Sequence, residues 1–370
     1  MTAHLLPPNA TELDKAFSLA FDPAPELAPA IDAVRGAKLV APPPSWLPWL
    51  VYEYGLGELT PYVPNLYDLI REGIDWQRIR GTPAALAMGL GWIGYAGDIE
   101  EWPTRRRAWS RFQLRLDRVR DTEDPDLERI EGIATLSPPL RSRFWRGFHG
   151  YDVRPLDWSW QRWSGARWAS FSGVRLHEGG PKWSFGRTHD VDRTLGQAEL
   201  EAAGAWIAPT GGASLSWGPF PWTTPGIAWT DSGEEARRRA IAANLAARDI
   251  YVALIDGDGQ VIGYRRARAV HAVSLDVAGA YEVDGVRWAP DEQGTAIYVE
   301  ALTGFGDGAG ADIASVALAF DATPADPARP GLLWAGPGEL VTPTGLVAET
   351  PAAIALGETV RERIRFILRS

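Results

Sequence analysis

Apolar residues in the first hundred positions recur at helical spacing. Thr11 stands where an N-cap belongs, and Leu13, Ala16, Phe17 and Ala20 share one face of the short helix after it. A proline-punctuated stretch runs from Pro23 to Pro44, followed by a short apolar segment, SWLPWLVYEYGL, beginning at Ser45. Leu66, Leu69, Ile70 and Ile74 mark a further helix. Thr82-Pro83 is a helix start, with Thr as N-cap and Pro at the first helical position. Leu86, Leu90 and Ile93 form that helix's apolar stripe and Gly94 its stop. The pattern predicts a bundle of short helices.

The pattern then changes twice. In PTRRRAWSRFQLRLDRVR, residues 103–120, Trp109, Phe112, Leu116 and Val119 fall on one helical face, which favours an amphipathic helix. QLRLDRVR also alternates, so a strand is the other reading. Acids follow at once in DTEDPDLE. From about 140 to 230 the chain is rich in Trp, Gly, Ser and Pro. WASFSGVRL and PKWSFGRT read as strands around an HEGG turn, and Ser232 with Glu235 forms a capping box for a helix carrying Ala236, Ala240, Ile241 and Leu245. The last third is β-rich. YVALID-GDG-QVIGYR is a hairpin, TAIYVEAL and SVALAF are strands, and TVRERIRFIL is a strand or a helix. The fold class is α+β multidomain: an N-terminal bundle of short helices, then β-rich modules punctuated by Trp, Gly and Pro. The expected divisions are 1–100, a linker at 101–140, a mixed module at 141–245 and a C-terminal module at 246–370.

Composition narrows the function. The 370 residues carry a formal net charge of −10, which disfavours nucleic acid or an anionic membrane as partner. With no cysteine, disulfides and thiolate chemistry are excluded. No apolar run approaches the roughly 20 residues of a membrane span, and the start lacks the pattern of a signal peptide, so a soluble, unprocessed chain without a membrane anchor is expected. Tryptophan is abundant, 18 residues against two methionines, and it favours large contact surfaces.

The N-terminal third resembles the phage tail protein I family of baseplate components. LLPPNATELDKAF at 5–17, SWLPWLVYEYGL at 45–56 and IRGTPAALAMGLGWIG at 79–94 carry the resemblance, in that order and spacing. It implies a structural wedge subunit of a contractile-tailed phage or phage-like particle, assembled in the host cytoplasm and located in the virion tail baseplate. Its implied partners are a dimer of baseplate protein J-like subunits, other wedge proteins, and a tail fibre or receptor-binding protein. The family brings no catalytic residue and no cofactor, so the chain is expected not to be an enzyme. Leu5, Leu6, Trp46, Trp49, Leu50 and Leu90 are the candidate core or interface positions. Arg105, Arg107 and Arg111 are candidates for docking onto an acidic neighbour through paired arginine–carboxylate contacts, although DTEDPDLE could compensate them internally.

Other motifs are read as structural. Trp145, Trp158, Trp160, Trp163, Trp168 and Trp183 could line a sugar-stacking surface, which makes a carbohydrate-binding or carbohydrate-cleaving particle protein the alternative function. A plain fibre adaptor is the second alternative. Asp256 and Asp258 resemble half a calcium loop but lack its further ligands, so a hairpin turn is expected. His189, Asp190 and Asp192 are too close along one segment to make a metal site alone. Gly89, Gly91 and Gly94 spell a loose nucleotide-loop pattern inside a predicted helix, where packing and capping explain them better.

Overall fold

The computed structural model describes residues 6–39, 42–101, 108–155, 170–209 and 233–370. The chain divides into two units: residues 1–94 with 132–140, and residues 95–131 with 141–370. The linker expected at 101–140 and the modules expected at 141–245 and 246–370 thus fall largely in one unit, because a single sheet draws strands from all of them.

The first unit contains helices α1 (Glu12–Ala20), α2 (Ala24–Leu39), α3 (Leu47–Glu53), α4 (Leu66–Ile79) and α5 (Pro83–Trp92), together with the end of α6 (Asp126–Leu136) from Gly132 onward. Local signals set its boundaries. Thr11 caps α1 by a reciprocal pair of bonds with Asp14, at 3.2 and 3.1 Å. The Asn65 side chain accepts from Tyr67 N at the start of α4, and the Thr82 hydroxyl accepts from Ala85 N at the start of α5. Gly94 ends α5 with φ near 74°, a conformation that favours glycine. Val51, Leu56, Leu59, Val63, Leu69, Trp76 and Ala85 make the core, and Trp76 Nε1 donates to the Ala85 carbonyl at 3.0 Å. Gly89 lies against Ile133, where a Cβ would come within 2.8 Å of Cγ2. Close packing, not nucleotide binding, accounts for that glycine. Thr82→Ala should cost the first unit about 1 kcal/mol, read as a lowered denaturation midpoint.

Residues 24–39 of the proline-punctuated stretch form α2, a 16-residue helix. Pro25 occupies the first turn, where its missing N–H is not needed, and only Pro29 removes an interior hydrogen bond.

The second unit is built on β1 (Gly97–Glu101), β2 (Arg111–Leu116), β3 (Arg143–His149), β4 (Lys182–Thr194), β5 (Ile250–Ile255), β6 (Val261–Leu275), β7 (Tyr281–Val283), β8 (Val286–Pro290), β9 (Ala296–Leu302), β10 (Asp312–Phe320), β11 (Thr323–Pro324), β12 (Trp334–Ala335), β13 (Leu340–Val341), β14 (Val347–Ala355) and β15 (Val360–Arg369). Thirteen of these described strands form one sheet, in the order β1-β2-β3-β4-β15-β9-β6-β5-β10-β14, with β12 and β8 attached to β6 and β7 to β8. A short pair, β11 and β13, stands apart. The pairs β2/β3, β3/β4 and β4/β15 are parallel and the rest antiparallel. A parallel pair needs a long connection, and α6 lies in the one between β2 and β3. Helices α7 (Gln197–Ala202) and α8 (Gly233–Ala246) supply Leu200, Ile241 and Leu245 to a core with Leu254, Val299, Phe320 and Phe366.

Two sequence expectations need correction here. Of the helix expected over 103–120, residues 111–116 are strand β2, paired with β1 on one side and β3 on the other. Leu114, off the supposed helical stripe, is fully buried, whereas Trp109, on that stripe, is largely exposed. Pairing on both edges overrides the helical periodicity. WASFSGVRL supplies, in its described residues, only an isolated bridge from Val174 to Trp183. TVRERIRFIL resolves as strand β15, and YVALID-GDG-QVIGYR is the expected hairpin of β5 and β6, with Gly259 at φ near 76°. Helix α8 bears the expected stripe; its proposed cap, Ser232, lies outside the described residues.

Candidate functional site

The first unit carries apolar side chains that its own core does not cover. None of the residues of α1 is buried: Leu13 is 77% exposed and Phe17 63%. Phe17 packs against its neighbour Phe21, with ring centroids 4.6 Å apart. An open groove of about 810 Å³ follows this helix, bordered by Leu6, Pro7, Ala10, Leu13 and Phe17. In α2, Leu27, Ile31 and Val34 recur at i, i+4 and i+7, and each is exposed by half or more. A nine-residue helix with no buried residue is marginal in water by itself. Its apolar stripe is the kind of patch that marks a contact with another protein.

Helix α3 divides its side chains between two environments. Leu47, Leu50 and Val51 point into the core. Trp46, just before the helix, and Trp49 and Tyr52 lie three residues apart on the opposite side, with Trp49 75% and Tyr52 83% exposed. Both sets come from the one segment SWLPWLVYEYGL.

The sequence candidates therefore separate. Leu50 and Leu90 are core residues, Trp46 and Trp49 face outward, and Leu6 is half-buried beside the α1 groove. Leu5, Arg105 and Arg107 lie outside the described residues. Arg111 is exposed at the start of β2, opposite Arg143 of β3. Sequence reasoning did not single out Tyr52 or the stripe of α2, although the i, i+4, i+7 spacing of Leu27, Ile31 and Val34 was visible.

The chemistry along the strip is associative. Asp14, next to Leu13 in the sequence, is taken up by the cap, and hydrogen bonds from Thr11 hold its carboxyl below the usual range. The ligand-like motifs elsewhere resolve as structure. Asp256 Oδ1 accepts from Asp258 N and Gln260 N, at 3.0 and 2.8 Å, as a turn does. His189 meets Glu362 at 2.8 Å, Asp190 is held by two bonds from Arg365 at 2.6 and 2.7 Å, and Asp192 pairs with Arg369 at 2.7 Å. Among the described residues, no group of three or more His, Asp or Glu side chains is placed to hold a metal ion. Trp145 and Trp183 are buried against Phe171 and Phe144, so neither offers a ring to a sugar. Trp158, Trp160, Trp163 and Trp168 lie outside the described residues.

These exposed helices fall inside a recognisable stretch of sequence. Residues 6–141 match the family model described as phage tail protein, Tail_P2_I. The phage tail protein match takes in just over a third of the chain and runs past the helical resemblance to the end of the first unit. It includes α6, which the acidic run DTEDPDLE obscures in the sequence, although Leu127, Ile130, Ile133 and Ala134 are all buried there. No curated protein matches the chain. No helix among the described residues is long and apolar enough to cross a membrane.

Proposed function

We propose that this chain is a structural, non-enzymatic subunit of a tail baseplate wedge. The N-terminal helices dock on a baseplate protein J-like dimer and on neighbouring wedge proteins, while the C-terminal part connects to a tail fibre or receptor-binding protein. It is assembled in the host cytoplasm and resides in the virion tail. The observation that carries this reading is the set of uncovered apolar side chains on α1, α2 and α3, all of which lie within the span similar to phage tail proteins. A subunit that must be held by neighbours keeps such surface open until it is assembled, and obligate interfaces are large and apolar.

The test is co-expression of the tagged chain with a baseplate protein J-like product, followed by light scattering. A stable complex with more than one J-like subunit per chain supports the wedge. In that complex the amides of residues 12–20 should exchange far more slowly than in the free chain. A folded chain that stays alone beside the J-like product rules the reading out. No specific observation favours the carbohydrate alternative, because Trp145 and Trp183 belong to the core.

A further inference from the structure

Of the described histidines, His177 is the one with an acceptor oxygen at each ring nitrogen. Nε2 faces Oε2 of Glu131 on α6 at 3.0 Å, and Nδ1 faces the Glu178 carbonyl more loosely, at 3.4 Å. A carboxylate and a carbonyl can only accept. A neutral imidazole carries one N–H and answers one of them, whereas the imidazolium carries two and answers both. His149 and His189 each meet a single residue in this way, at the Leu116 carbonyl and the Glu362 carboxylate.

The turn fixes the ring before it meets Glu131. His177 opens the HEGG turn between β3 and β4, where Gly180 N donates to the His177 carbonyl at 3.3 Å and Gly179 has φ near 78°. Arg143 of β3 donates to the Gly179 carbonyl at 3.3 Å, and Arg175 donates to the Gly180 carbonyl. Gly180 also lies against the imidazole, where a Cβ would come within 2.5 Å of Cε1. Exposed ion pairs are usually weak because two long side chains must be ordered to make them. Here the turn has already done half of that ordering.

We propose that His177 and Glu131 form a pH-sensitive fastening between the β3–β4 connection and α6, closed in mildly acidic solution and opened as the pH rises. The charge facing the ring from α6 is Glu131. Within the turn, Arg143 and Arg175 are each engaged by a backbone carbonyl, and Glu178 offers its own carbonyl to the ring. The bond from Glu131, its charge and then the Glu178 carbonyl hold the His177 imidazolium above its ordinary value. A group raised in this way contributes fully below its ordinary value, about 6.5 for histidine, and the contribution is lost as the pH climbs through the raised value. That interval lies well above the range in which carboxylates titrate, so opening is separate from acid unfolding. Glu131 is the last residue of α6 in the second unit, and Gly132–Leu136 belong to the first. The proton on His177 thus sets how firmly α6 is held at the point where the helix leaves the second unit. Both members of the pair lie in that unit, and the fastening stands independently of the wedge assignment.

The test uses the full-length chain and two readouts. The first is NMR titration of the histidine Cε1–H signals from about pH 5.5 to about pH 9. The His177 signal is the one that His177→Gln removes. Glu131→Gln should move its midpoint back down toward the ordinary range, and raised salt should move it the same way by screening the pair. The second readout is amide exchange in α6, corrected for the intrinsic pH dependence of exchange. In the parent chain, α6 should open several-fold more often at about pH 8.5 than at about pH 6. His177→Gln and Glu131→Gln should each remove that difference. Gly180→Ala, which keeps the titrating group but crowds it from its place, should remove it as well. Circular dichroism checks that each variant is folded, and the exposed position of His177 leaves His177→Gln as the variant least able to disturb the core. An unchanged His177 midpoint in Glu131→Gln overturns the proposal. So does α6 exchange with the same pH dependence in the parent and in His177→Gln.

Discussion

Leu13→Asp/Phe17→Asp should abolish stable complex formation with the proposed baseplate J-like partner while leaving the free chain as stable as before. Both side chains are mostly exposed in the chain itself, so neither substitution opens a cavity or strands a charge in a core. The capping pair Thr11–Asp14 is untouched, and the first-unit core of Leu56, Leu69 and Trp76 does not include either residue. In a complex that covers the strip, the same two positions become buried. Each large apolar side chain then contributes about 1.5–3 kcal/mol of burial, and an uncompensated carboxylate in its place adds a desolvation cost. The expected loss is at least a hundredfold in affinity, about 2.7 kcal/mol. Isothermal titration or co-purification reads the loss, and thermal denaturation of the free variant reads its stability. Trp49→Asp, on the exposed side of α3, provides a second site with the same logic. Full binding by both variants would remove the strip from the interface and leave the wedge reading without its structural support.

Most of what was legible in the sequence came from local signals. Thr11 and Thr82 announced their helices because the capping side chain bonds to backbone only a few residues away. The β5–β6 hairpin was legible because its turn chemistry and both strands lie within one short stretch. What escaped depends on distant partners. The spacing of His189, Asp190 and Asp192 speaks against a metal site but does not show their true partners, because the arginines that answer two of them lie on β15, about 175 residues away along the chain. The same parallel pairing settles β15 as a strand, which TVRERIRFIL left open. The arginine-rich segment read as a helix because nothing local shows that β1 and β3 flank it.

The candidate site divides along the same line. SWLPWLVYEYGL was visible as an apolar segment, but the rotation of α3 that buries Val51 and exposes Trp49 depends on packing against Leu56, Leu59 and Leu69. The spacing of the α2 stripe stands in the sequence, but Pro25 and Pro29 suggest a broken chain when their positions within the helix are not known.

Asp152→Ala should destabilise the second unit by about 3–5 kcal/mol, the largest single loss expected there. The reason is Arg146, whose side chain is fully buried in β3. Asp152 meets it with both oxygens. Ser172 supplies a carbonyl at 2.9 Å and a hydroxyl at 3.0 Å, and Gln113 Oε1 lies at 3.3 Å. The Phe148 and Phe171 rings lie 4.7 and 5.2 Å from the guanidinium carbon. Burial pulls the Arg146 guanidinium below its ordinary value, while the bonds to Asp152 oppose that shift. Without Asp152 the cation stays buried with only neutral acceptors in contact, because Glu100 is already engaged by Arg154 at 2.9 Å and by Gln113 at 2.7 Å. Arg146→Met/Asp152→Ala removes the stranded charge along with its partner and should recover part of the loss, since well-packed apolar replacements of buried ion pairs are often neutral or better. Urea unfolding followed by tryptophan fluorescence measures both variants. If the single variant stays within 1 kcal/mol of the parent, or the double variant is the worse of the two, buried charge is not what makes Asp152 necessary.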